Sequence, residues 1–416
     1  MVLDPNEPTP RPETNTTTSY LRDIQPLIER SCQSCHTQGG VAPIPLDTPE
    51  QVTAVAAALF NAIEQNRMPP FFASAACRSW KGDNRLSSEE KVLFKQWIDE
   101  GSPRGDPSEE RHATQVPLPT VRHDLEMTLG RFDVTKMNDL DNYHCFSLDP
   151  KNPRDLQITG YEVTPGNIAV VHHVLAYVVE PDQIAKLEQL DAQDPRPGYS
   201  CQSASVGIPG TIQRQIASWV PGSLPSRMPE SSALTLAANS RIVVQVHYSL
   251  NALNDPTVSP WDETKLAFEI ATGGQLREAR VLPMVKLNLS IPPGESNSVQ
   301  VGEFPALGPF RGATLYAAAA HAHQLASRIR LEVLRVGGET ECVMDNPNWD
   351  FNWQRSYEMV EPVKLAVGDR FRITCTYDNS AANQPIINGV QKPPTEVNWG
   401  ESSYDEMCMT YLTFVQ

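Results

Sequence analysis

Four stretches of this chain, "GNIAVVHHVLAYVVE", "RIVVQVHYSL", "RIRLEVLRV" and "RFRITCTYDN", are β-branched runs with period-two alternation. That alternation sends every second side chain to the same face, which is the pattern of strands rather than helices. Pro, Gly and Asn turns separate the runs, so residues 125–416 are expected to be mostly antiparallel β. A stretch of about 290 such residues fits two jelly-roll-like sandwiches better than one. An internal echo agrees: "RIVVQVHYSLNALNDP" and "RFRITCTYDNSAANQP" align Arg241 with Arg370, Tyr248 with Tyr377 and Asn254 with Asn383.

The residues before this region have another texture. Residues 1–18, rich in Pro, Thr, Asn and Glu, have little to bury and are expected to be a disordered leader. From 19 to 105 the pattern is helical. "TPEQVTAVAAALFNAIEQN" puts Val52, Val55, Leu59 and Ile63 on one apolar face, and "SSEEKVLFKQWIDEG" opens on serine caps and closes on glycine. Residues 106–124 are proline-rich and charged and are read as a linker, followed by sandwiches over 125–282 and 283–416. The expected fold class is thus multidomain, an all-α domain followed by two all-β antiparallel sandwiches.

Within the helical part lies "CQSCH". Cys32 and Cys35 are one helical turn apart, so both thiols can reach the two vinyl groups of one haem, and His36 can ligate the iron. A zinc site would want a second cysteine pair at matching distance, and the sequence has none; a redox dithiol is the other alternative. Met68 in "NRMPPFF" offers a sixth ligand, held extended by the prolines that follow. The segment 19–105 resembles small class I c-type cytochrome domains, including the "MPP" step and the closing "WIDEG". One covalently attached haem c is the implied cofactor.

Five further histidines sit in strand-like runs: His172 and His173 in "VVHHVL", His247 in "VVQVHYS", and His321 with His323 in "AAHAHQLA". His321 and His323, roughly 7 Å apart along a strand, share a face and can close on one metal. His172 and His173 are neighbours, and only a bulge or a strand end would bring both to one ion. Imidazole-rich, carboxylate-poor sites favour copper or zinc over calcium or magnesium, and a thioether tips the choice to copper. Met407 in "DEMC" is the preferred thioether, with Met409 as its competitor.

In order along the chain, "VHHV", "VQVHYS", "HAH" and "DEMC…Y" resemble the copper type II, ascorbate-dependent monooxygenases, the family of the peptidylglycine α-hydroxylating and dopamine β-monooxygenases. The resemblance covers about 125–416. It implies one copper on His172, His173 and His247, and a second on His321, His323 and Met407 that binds dioxygen. It also implies an orienting role for Gln245, a place at the active site for Tyr411, and a Cys375–Cys408 disulfide. The family's substrate-binding arginine two residues before the HxH is here Ala319, which points to a neutral or apolar small molecule. Cys145 with Cys201 is a plausible second bridge, leaving Cys77 and Cys342.

The reading that follows is a dicopper monooxygenase acting with O2 on a small organic substrate, its electrons passing through the haem from an external donor, ascorbate or a redox protein. A non-catalytic haem–copper electron-transfer protein and a binding module that once was an enzyme are the alternatives. With 50 acidic against 34 basic side chains, a formal net charge of −16, nucleic acid and anionic lipid are unfavourable partners. No run of 18 apolar residues predicts a membrane span. Six cysteines beyond the haem motif suit an oxidising compartment, and a periplasmic or secreted protein is expected, its polar start being read as a mature or trimmed form.

Overall fold

The computed structural model describes residues 17–40, 42–114, 119–137, 141–201, 205–211, 213–387 and 390–416. The leader expected at 1–18 lies, apart from its last two residues, outside them. The alternating runs form strands. The longer ones are β1 (Leu125–Thr128), β2 (Asp141–Leu148), β3 (Leu156–Thr164), β4 (Val171–Val179), β5 (Arg214–Trp219), β6 (Ser232–Leu236), β7 (Arg241–Ser249) and β8 (Lys265–Ile270). Beyond these come β9 (Arg277–Val285), β10 (Ser298–Pro305), β11 (Thr314–His321), β12 (Ala326–Leu334), β13 (Thr340–Asn346), β14 (Tyr357–Lys364), β15 (Arg370–Tyr377) and β16 (Met409–Val415).

Three sheets organise them. One has the order β2-β7-β4-β5, a second β10-β15-β12-β13, and the longest β1-β8-β3-β6-β9-β16-β11-β14. The two echoing runs became β7 and β15, each an inner strand of its sheet. On β7, Ile242, Val244 and Val246 are fully buried in the core that also holds Val174, Ile158, Leu234 and Phe268. The alternate residues Val243, Gln245 and His247 face the other way. That second face is the one that carries chemistry.

The expected class does not hold. The chain is mostly β with few helices, and the N-terminal stretch is not an all-α cytochrome c domain. Its helices, α1 (Gln25–Ser31), α2 (Pro49–Ala54), α3 (Ala56–Glu64) and α4 (Ser88–Asp99), are short; α2 and α3 are parted only by Val55, and long irregular stretches lie before α2 and after α3. The reason is compositional: "TQGGVAPIPLDTP" and "NRMPPFFASAACRSWKGDN" carry glycines and prolines that cost backbone entropy or lack the N–H a helix needs. Two compact units divide the chain, one ending at Phe71 and resuming over Asn84–Val116, the other made of Phe72–Asp83 and Pro117–Gln416. Residues 72–83 therefore belong with the strands. Cys77 is disulfide-bonded to Cys342, the N–H of Ser74 donates to the Asp345 carbonyl at 2.8 Å, and Trp80 bridges to Met359.

Strands also pair across the two halves of the β region. β9 runs antiparallel to β16 but parallel to β6, pairing Arg277 with Ser232 and Glu278 with Ala233. One sheet thus continues through the expected boundary at 282, and it is mixed rather than purely antiparallel.

In the first unit the helices close over Tyr20, Ile24, Ile28, Val52, Phe94 and Trp97. α4 begins with a reciprocal cap. The Glu90 N–H donates to Ser87 Oγ at 3.2 Å, and the Ser87 N–H donates to Glu90 Oε2 at 2.8 Å. The apolar face foreseen for 49–64 survives a break at Val55: Val52 and Ile63 are buried, while Val55 and Leu59 pack against the same core.

Candidate metal centres

His247 lies near the end of β7, where its cross-strand partner on β4 is His173. The register then slips: Tyr248 pairs with Val171, so His172 is an extra residue with no opposite number. That β-bulge is what neighbouring histidines need, because it turns His172 to the side of its neighbour. The three Nδ1 atoms converge, at 3.3 Å between His172 and His173, 3.1 Å between His172 and His247, and 3.3 Å between His173 and His247. The centre of this triangle lies about 1.9 Å from each nitrogen, close to the roughly 2.0 Å of a metal–imidazole bond. Burial pushes the pKa of His173 well below its ordinary value, so that ring is neutral and its lone pair available. Tyr143 stacks on His247 with ring centroids 4.2 Å apart and planes within 10°. Three imidazoles aimed at one point fit a cation with nitrogen affinity.

The second pair closes β11. His321 is its last residue and His323 follows, their ring centroids 5.4 Å apart and the planes perpendicular at 89°. Hydrogen bonds decide which nitrogen of each ring is free. His323 Nδ1 faces the Asp405 carbonyl at 3.1 Å, and a carbonyl only accepts. His321 Nδ1 faces Gln354 Oε1, whose amide is oriented because its nitrogen donates to the Phe351 carbonyl at 2.8 Å. Both rings therefore carry their proton on Nδ1 and leave Nε2 for a ligand. Burial drives His321 down to about 4, so it too is neutral near pH 7.

Met407 is buried just before β16. Glu406, also fully buried, ties its segment to the histidine turn by accepting N–H bonds from His323 at 2.9 Å, Leu325 and Met407 at 3.1 Å. Burial raises this carboxyl to about 7 even though those N–H groups favour its charged form. The Met407 carbonyl accepts the Tyr377 hydroxyl at 2.7 Å, and Cys408 beside it is bonded to Cys375. Met409, the competing thioether, lies in β16 as the cross-strand partner of His321. Tyr411 stands two residues on, its ring 6.4 Å from that of His321, and Ala319 is its cross-strand partner.

Cys145 pairs with Cys201 and Cys77 with Cys342, so among the described residues Cys32 and Cys35 are the cysteines outside a disulfide. The backbone there is one turn: the Cys35 and His36 N–H groups both point to the Cys32 carbonyl, at 3.1 and 3.0 Å. Burial pushes the Cys32 thiol up to about 12. His36 Nδ1 donates to the Ile44 carbonyl at 2.8 Å, leaving Nε2 free for a metal. Met68 is half-buried beyond α3. Two free thiols and a preset imidazole fit a covalently held haem.

Gln245 does lie on the histidine face of β7, with its amide nitrogen 3.7 Å from Cys201 Sγ. Sequence reasoning missed Glu406, Gln354, Phe351 and Tyr143. Glu406 stood inside "DEMC" as an acid next to the buried Met407, a signal in hindsight. Gln354 and Phe351 carried none, since only the fold brings "NPNWDFNWQR" to the histidines.

Residues 281–416 match the family described as copper type II ascorbate-dependent monooxygenase, C-terminal domain. The chain is 22% identical over 310 residues to a tyramine beta-hydroxylase of Caenorhabditis briggsae, covering 72% of this chain and 46% of that protein. It is 23% identical over 289 residues to a dopamine beta-hydroxylase of Canis lupus familiaris, covering 65% and 42%. DBH-like monooxygenase protein 1 of Homo sapiens is 29% identical over 104 residues, covering 25% and 15%. The chain spans about half the length, or less, of these curated relatives.

Proposed function

We propose, for a chain whose residues 281–416 match the copper type II monooxygenase C-terminal domain, that it is a dicopper monooxygenase hydroxylating a C–H bond of a small organic substrate with O2. The observation that carries this is the convergence of His172, His173 and His247, from two strands far apart in sequence but paired in the sheet, on one point. His321, His323 and Met407 would hold the second ion. Bound there, copper supplies one-electron redox chemistry and, where two imidazoles and a thioether leave a position open, a place for dioxygen.

The chain's own residues prepare that chemistry. The Asp405 carbonyl and Gln354 Oε1 hold the Nδ1 protons of His323 and His321, so both rings present Nε2. Glu406 ties the histidine turn to the methionine segment, and the Cys375–Cys408 bridge pins the latter. Tyr411 borders His321, and its cross-strand partner is the uncharged Ala319, which suits a neutral or apolar substrate.

Cys32 and Cys35 would hold a haem through thioethers, and His36 and Met68 would be the side chains offered to its iron. Such a group accepts one electron at a time from ascorbate or a redox protein. Three disulfides support the reading of an exported protein in an oxidising compartment. Among the described residues no helix is long and apolar enough to cross a membrane.

The test is oxygen uptake by the copper-loaded, reduced protein against a panel of neutral and apolar small molecules. Uptake matched one for one by hydroxylated product is the expected outcome. Electron exchange without substrate-dependent uptake would make the chain a copper-binding or electron-transfer protein instead.

A further inference from the structure

The loop 347–356, between β13 and β14, touches both histidine clusters. Trp349 Nε1 donates to the His323 carbonyl at 3.0 Å. Gln354 receives the Nδ1 proton of His321 and is anchored in turn on the Phe351 carbonyl. The Phe351 ring itself reaches across to the other cluster. It stacks on His172 with centroids 5.1 Å apart and planes 25° from parallel, and it meets His323 edge-on at 6.0 Å and 89°.

His172 sits at the bulge of β4, where the register with β7 shifts. Phe351 stacks on that ring while touching His323, a histidine of the other pair. An aromatic ring resists compression and has only two side-chain torsions, so it makes a stiff spacer.

We propose that Phe351 is a positioning residue, a spacer that fixes His172 relative to His323 and thereby sets the separation of the two metal centres. Its structural half needs no metal; its consequence for two coppers rests on the function proposed above.

Two measurements on the full chain separate these halves. In the metal-free protein, amide hydrogen exchange is compared between wild type, Phe351→Ala and Phe351→Tyr. Exchange should rise at least tenfold in Phe351→Ala both at 170–174 and at 347–356, and return toward wild type in Phe351→Tyr. A rise confined to 347–356 would overturn the spacer role. In the copper(II)-loaded protein, pulsed dipolar spectroscopy should give one narrow inter-copper distance for wild type and Phe351→Tyr. Phe351→Leu, which keeps bulk but loses the plane, should shift or broaden it; an unchanged narrow distance would overturn the proposal. Binding of fewer than two coppers per chain would sink the copper reading, and the exchange comparison would still decide Phe351.

Discussion

Glu406 shows how much a single side chain can hold at a site of this kind. Its carboxylate accepts N–H groups from His323, Leu325 and Met407 while fully buried. Each buried donor left unmade costs about 1–3 kcal/mol, so Glu406→Ala should lower the unfolding free energy by about 3 kcal/mol or more. Glu406→Gln retains one acceptor oxygen and should lose less; urea denaturation of the three proteins measures the order. His172 offers the opposite test. It is half-buried and lies outside the apolar core, so His172→Ala should keep the fold and lose one of two coppers, read by metal analysis of the loaded protein. The gathering of His172, His173 and His247 was legible because five histidines concentrated in three strands are hard to dismiss, although one alone is usually inert. The bulge was legible only as a requirement, since register is set by pairing with β7 and not by the local run. Phe351 and Gln354 were not legible at all, because their loop meets the histidines through the fold alone.

At the scale of elements, the strands were readable and their assembly was not. Period-two alternation marks a strand, but it does not say which strand lies beside it, and the parallel β6–β9 pairing that joins the halves leaves no local trace. Charged residues then fix such neighbours from the sheet's rim. Glu269 on β8 accepts the Arg122 N–H at 2.9 Å and pairs with the guanidinium groups of Arg122 at 3.0 Å and Arg227 at 2.8 Å. Burial alone would raise its pKa, but the Arg122 N–H and the Arg227 guanidinium more than offset it and hold it below its ordinary 4.5. A carboxyl depressed in the folded state stabilises above its unfolded pKa and loses that contribution as pH falls through the folded value. Unfolding free energies followed from pH 6 downward should therefore drop below about pH 4.5. The drop should be shallower in Glu269→Gln, which cannot titrate; equal slopes would mean the cluster contributes nothing to acid sensitivity.

For the whole molecule, composition suggested one linker between a helical and a β part, whereas the chain crosses between its two compact units at 71–72, at 83–84 and at 116–117. The reason is long-range and covalent. Cys77 and Cys342 are 265 residues apart, and no spacing rule selects that pair from the alternatives. The same short arm adds the Arg78–Glu341 ion pair at 2.6 Å, the Phe72 N–H bond to the Tyr357 hydroxyl at 3.1 Å, and the packing of Trp80 on Tyr357. Residues 72–83 are thus a part of the β-unit that happens to be encoded inside the helical one. A chain cut to 117–416 should consequently be poorer than its strand content suggests. It loses the cross-link, worth about 2–5 kcal/mol in the unfolded-state account, and exposes the rim of β13 and β14 that the arm covers. Full-length protein carrying Cys77→Ser with Cys342→Ser isolates the first loss, and the shortened chain adds the second. Unfolding midpoints should fall in the order wild type, double serine variant, shortened chain. A shortened chain as stable as the double variant would reduce the arm's role to its disulfide, because the remaining contacts would then be surface decoration rather than part of the β-unit's core.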